Sequence, residues 1–216
     1  SEETVGTNSV RDYYRFARDK ARVDCCSHQG NDFQVTEEYW NEFKQANEDF
    51  CEPGEFVTLL GYEWSGNSAG GGDHNVWYRG GDEPIHRSSH ALIPDKSDLE
   101  TDRFPVEELY EEMRDKDAVL GAHVGGRRAT LERHDDQVMG LVEVYSAWGE
   151  FEWMLTQSLE LGHKVGVVAN SDGHKGRPGA SYPGESLFGC YGGLTGLYAS
   201  ELTRDSIFDA LNERRC

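Results

Sequence analysis

The chain has 216 residues, 37% hydrophobic and 11% aromatic, enough for one sizeable core and a single domain. Its 40 acidic against 21 basic side chains give a formal charge of −19, which repels nucleic acid and anionic membranes and argues against both as partners. The five cysteines, Cys25, Cys26, Cys51, Cys190 and Cys216, include no CxxC spacing and form neither a disulfide framework nor a zinc ribbon, and no apolar run is long enough to span a membrane.

Asn8 or Ser9 can cap a first helix, with Val10, Tyr13, Tyr14, Ala17 and Ala21 at helical spacing. A short run over 23–26 then ends in Ser27-His28. Thr36 starts a second helix whose Tyr39, Trp40, Phe43 and Phe50 mark an apolar face and which stops before Pro53-Gly54. Residues 56–62 read as a buried strand that stops at Glu63-Trp64. The glycine-rich stretch 66–72 leads to Asp73-His74-Asn75 and a short strand over 76–78.

Residues 80–102 form a long polar loop of the kind that covers a site. Pro105 suits the first turn of a helix carrying Val106, Leu109, Tyr110 and Met113, and the strand 118–122 after it runs into His123. Further strands are expected over 141–145, with Glu143 in the middle, over 165–169 and over 194–199. Between the first two lies a helix closed by Gly162, and Thr203 with Asp205 begins the last helix. Strand and helix alternate, so parallel pairing through helical crossovers is the economical topology.

Four of these strands end in side chains that can ligate a metal: His28, Glu63, His123 and, in Ser171-Asp172-Gly173-His174, the Asp172/His174 pair. In a (β/α) barrel or an open parallel sheet such ends share one face. His74 opens its strand instead of closing one, and reads equally as a ligand or a turn residue. Glu143, inside a strand, needs either an arginine or the metal cluster as partner. Arg127 and Arg128 follow Gly125-Gly126 and can meet an anionic substrate at the mouth or stay solvated; Lys175 and Arg177 are weaker versions of the same case. Gly66-Asn67-Ser68-Ala69-Gly70 matches GxSxG but lacks the strand-to-helix setting of a nucleophile elbow.

Taken in order, Ser27-His28-Gln29-Gly30-Asn31-Asp32, Gly61-Tyr62-Glu63-Trp64, Asp73-His74-Asn75, Ala122-His123, Val142-Glu143-Val144-Tyr145-Ser146 and Ser171-Asp172-Gly173-His174 resemble the polymerase and histidinol phosphatase (PHP) family of metal-dependent hydrolases, and within it an uncharacterised branch. The resemblance implies a distorted seven-stranded (β/α) barrel, TIM-like in outline, formed by one PHP-like domain over 1–216. It implies two or three divalent metal ions held at the strand ends by His28, His74, His123 and His174. Glu63 would bridge two ions, and Asp172 would be a further ligand beside the nucleophilic water.

Two departures stand out. The family's opening strand ending in HxH does not precede Ser1-Glu2-Glu3-Thr4, so the chain is expected to be an excerpt of a longer protein. Ser27 stands where the family carries an aspartate beside the histidine. The expected activity is hydrolysis of a phosphate ester, with zinc, manganese or iron as the metal, Asp172, Glu63 and Arg127 as catalytic groups, and Arg127, Arg128 and Lys175 binding an anionic small molecule. Amidohydrolase-type cleavage of an amide, lactone or cyclic ester, and a degenerate barrel that binds without turnover, are the competing readings.

Overall fold

The computed structural model describes residues 9–180 and 191–216. Asn8, Cys190 and the first four residues, which carry readings made above, lie outside this set. The described chain is a mixed α/β fold built on a seven-stranded sheet and a separate two-stranded one. None of its described helices is long and apolar enough to cross a membrane.

Ser9 caps helix α1, Val10–Arg15, in a reciprocal capping box with Asp12, and the helix widens into a π-helical segment, Phe16–Ala21. Strands β1, Cys25–Ser27, and β2, Gly30–Asn31, follow. Helix α2, Glu37–Phe50, is capped by Thr36 and buries Trp40, Phe43, Ala46, Asn47 and Phe50. Each large apolar side chain on that face contributes roughly 1.5–3 kcal/mol of burial.

The single strand expected over 56–62 is two. β3, Val57–Leu59, pairs with β1, and β4, Gly61–Ser65, pairs with β2, both in parallel. Strand β5, Asp73–Tyr78, begins three residues earlier than expected. Helix α3, Val106–Met113, and strands β6, Ala118–Ala122, β7, Met139–Ser146, and β8, Gly149–Glu150, come next. Helix α4, Glu152–Glu160, strand β9, Gly166–Ala169, and helix α5, Arg204–Asn212, complete the chain.

Uniformly parallel pairing does not hold. β5 runs antiparallel to both β4 and β6, because the tight turn over 66–72 returns the chain beside the strand it left, and β8 folds back on β7 as a hairpin. Two reversals restore direction, so β4, β6, β7 and β9 still run the same way, and their C-terminal ends converge.

The strand expected over 194–199 is also absent. That segment lies beside β9, but the Thr195 side chain takes both the N–H and the C=O of Ala169 (2.9 and 2.8 Å), so the backbone ladder does not form. The loop 80–102 covers no site either. Fully buried Arg87 donates to the Val35 carbonyl and to Asp98 and Thr101, which ties the loop to itself and to the segment ahead of α2.

The main core gathers Tyr62, Trp64, Val76, Tyr78 and Leu120 with the buried faces of α1, α2 and α3. A second cluster holds Val57, Leu59, Trp77, Val119, Leu141 and Val168 against Ile207, Phe208 and Leu211 of α5. Successive strand residues go to opposite clusters, as the pleat requires: Val76 and Tyr78 to one, Trp77 to the other.

Candidate metal centre

The converging strand ends open into a cavity of about 1110 Å³, lined among others by His28, Glu63, Asn75, His123, Arg127, Asp172 and His174. β6 delivers His123 one residue past its end. Its Nδ1 lies 2.5 Å from Glu143 Oε2, and Asn170 Nδ2 donates to the same oxygen at 3.0 Å. Glu143 therefore holds the Nδ1 proton, which turns Nε2 toward the other carboxylates. That Nε2 lies 3.9 Å from Glu63 Oε2 and 3.9 Å from Asp172 Oδ2. His123, Glu143 and Asp172 each offer a ligand atom within 4.8 Å of the other two.

Burial disfavours charge on Glu63, His123 and Asp172. Burial first, and then the carboxylates of Asp73 and Asp172, push Glu63 above the ordinary carboxylate range, with His123 opposing. Burial followed by the repulsion of Glu143 does the same to Asp172. For His123, burial favours the neutral ring, but Glu143, Glu63 and Asp172 together outweigh it and raise its pKa well above the usual value. Three acidic groups around one imidazole are a donor set that a divalent cation would balance.

His28, just past β1, is 2% exposed and sits edge-on to the rings of Tyr13 and Phe43, with centroids 4.8 and 4.4 Å away. Neither ring nitrogen has a hydrogen-bond partner, and burial lowers its pKa well below the usual value, so the ring is neutral. A neutral, buried imidazole with unmatched nitrogens at a cavity wall is suited to a metal ion.

Asp172 occupies the left-handed region at φ 41°, a conformation that aspartate tolerates better than most side chains, and accepts from Ser146 Oγ at 3.3 Å. His174 Nδ1 reaches the Asp172 carbonyl at 3.2 Å, and its ring stands edge-on to Trp148. Gly125 is needed at its position because a Cβ there would lie 2.5 Å from Glu63 Oε1 and 2.8 Å from His123 Nε2. The glycine is what allows those two side chains to meet.

His74 is not brought to this group. It pairs across the sheet with Trp64 and Ala122, on the core side of β5, and its ring nitrogens meet the Gly72 carbonyl at 3.2 Å and the Tyr110 hydroxyl at 3.0 Å. Its neighbours Asp73 and Asn75 face the other way, since alternate strand residues cannot share a face. Asp73, fully buried, accepts from the Arg127 backbone at 2.9 Å and from Arg127 Nε at 2.7 Å. The clamp leaves Arg127 Nη2 3.7 Å from Glu63 Oε1, at the cavity wall. Arg128 points elsewhere, its guanidinium 3.8 Å from the centroid of the Trp153 ring, and Lys175 is exposed; neither lines the cavity.

Two residues central to this geometry carried weak or no sequence signals. Glu143 reads in the sequence as a buried carboxylate needing an arginine or the metal cluster, not as the partner of His123, and Asp73 is overshadowed by the histidine beside it. Strand alternation across Asp73-His74-Asn75 was the signal that could have separated them.

Fold and site together define an α/β protein with a buried group of imidazole and carboxylate side chains suited to metal. The chain belongs to the family DUF3604, described as a protein of unknown function, whose family model matches residues 2–124. No curated protein matches it. Among solved structures it is similar to a two-domain protein from Bacteroides vulgatus containing a predicted PHP-like metal-dependent phosphoesterase. The identity is 14% and the TM-score 0.61, with all of this chain and 61% of the other covered. The likeness is one of fold, and this chain spans less than two thirds of that protein's length.

Proposed function

We propose that the protein is a metal-dependent hydrolase acting on phosphate esters, with Glu63, His123, Asp172, His174 and His28 holding two or three divalent ions. The observation that carries this reading is His123 Nε2 facing Glu63 and Asp172 at 3.9 Å each while Glu143 holds Nδ1. When bound, zinc, manganese or iron supplies Lewis-acid stabilisation of developing negative charge and makes water acidic enough to act as a nucleophile near neutral pH.

The chain's own groups do the rest. Glu143 fixes the orientation of His123. Asp172, whose carboxylate faces His123 Nε2 at 3.9 Å, would take a proton from the attacking water as the bond from phosphorus to the alcohol oxygen breaks, and would return that proton to the departing alcohol. Arg127, aimed by Asp73, neutralises substrate oxygens locally against an unfavourable global charge. The predicted phosphoesterase domain of the similar Bacteroides protein supports a phosphoester over an amide or lactone. A PHP-type barrel fits the same reading: β1 and β9 both line the cavity, and each has one strand partner among the described residues.

The test is metal analysis of purified protein together with a panel of phosphoester, amide and lactone substrates. At least two metal equivalents and phosphoester turnover that is lost in His123→Ala and Asp172→Ala are expected. Full activity in metal-stripped protein would refute the reading, and turnover confined to amides or lactones would move it to the amidohydrolase class.

A further inference from the structure

A second group of ligating side chains stands away from the cavity, where two surface segments meet. His134 and Asp136 belong to the loop ahead of β7, and His163 to the turn that closes α4. The two imidazoles stack with centroids 3.8 Å apart and planes 13° from parallel. Each of the three side chains offers a ligand atom within 4.8 Å of the other two. None of them lines the cavity.

The protonation pattern follows from the partners. His134 Nε2 lies 3.0 Å from Asp136 Oδ1, and His163 Nε2 lies 2.9 Å from the Leu131 carbonyl oxygen. The Leu131 carbonyl can only accept, so His163 Nε2 carries a proton and its lone pair stays on Nδ1, while His134 Nε2 and Asp136 Oδ1 stand side by side as two ligands of one ion do. One ring nitrogen donating to a carboxylate or carbonyl, with the other bearing the lone pair, is how metal-ligating histidines are held. The His134 side chain is 7% exposed and Asp136 is 82% exposed, so a shielded imidazole stands beside a carboxylate that can turn.

We propose that His134, His163 and Asp136 form a separate site for one divalent d-block cation, with zinc the best match to two nitrogens and a carboxylate. The ion clamps the loop before β7 to the end of α4, which Gln157 and Glu132 already bridge at 3.0 Å. Coordination requires one imidazole to tilt out of the stack, and the place of His163 on a turn gives it that freedom.

The test titrates zinc alone into metal-stripped wild-type protein and into a His134→Asn/His163→Asn double variant, with circular dichroism to verify folding. The double variant is expected to bind one equivalent less zinc and to show a smaller zinc-induced rise in Tm. Equal stoichiometry and equal rise would overturn the proposal. Should the double variant not fold, Asp136→Asn replaces it: its weakest-bound equivalent is expected to lose about tenfold in affinity, and an unchanged isotherm overturns the site.

Discussion

Glu143 Oε2 lies 2.5 Å from Nδ1 of His123, a residue 20 positions away in sequence, and it is the contact that sets which nitrogen of that histidine faces the cavity. Glu143→Gln keeps the shape but offers a weaker acceptor and no charge. Metal affinity is expected to fall about 10–100-fold while the fold persists. Isothermal titration with zinc or manganese reads this directly, and an unaltered affinity would mean that Glu143 is packing rather than orienting.

Gly125→Ala places a methyl group 2.5 Å from Glu63 Oε1 and 2.8 Å from His123 Nε2. Both side chains must shift, so metal stoichiometry and hydrolysis should fall together. The change adds one methyl group beside the cavity and leaves the two hydrophobic clusters untouched, so circular dichroism should be unchanged.

Arg127 serves two neighbours, and two substitutions separate them. Arg127→Ala leaves fully buried Asp73 without its guanidinium partner but with the Arg127 backbone N–H, a loss of about 1–3 kcal/mol in denaturant unfolding. Arg127→Lys retains the charge but not the planar donor set. It should cost less stability while raising KM for a phosphoester. Equal stability losses in the two variants would contradict this division.

His74 gives a pH signature. Burial lowers its pKa from the ordinary 6.5 to about 4, with His123 adding to the effect and the Gly72 carbonyl opposing it. Between those values the unfolded chain binds a proton that the folded chain refuses. Stability should therefore decline as pH drops from 6.5 toward 4, by on the order of 3 kcal/mol at most. His74→Gln should flatten that slope in denaturant titrations and leave metal affinity unchanged. A loss of metal affinity would return His74 to the ligand set.

How much was legible in the sequence can be judged residue by residue. Thr36, Pro105, Gly162 and Thr203 mark helix ends that the structure keeps, because capping is chemistry between near neighbours. His28, His123 and Asp172 could be picked out because an apolar strand that stops at a ligating side chain is a local pattern; Glu63 instead lies inside β4, not at the strand end expected there, and the structure brings all four to one cavity. Local chemistry in the sequence therefore reaches the helix ends and the ligating character of several strand ends, while the split of β3 from β4 and the loss of a strand over 194–199 lie beyond it.

Tertiary structure alone decided the rest. Whether β5 returns antiparallel, and so turns His74 to the core and Asp73 to Arg127, depends on pairing with β4 and β6. The partnership of Glu143 with His123 depends on β7 lying beside β6. The burial of Arg87, which draws the long loop away from the cavity, depends on acceptors at Val35 and Asp98. Periodicity reports which face of an element is apolar, but a buried charge goes where its partner is, and that partner lies on another element.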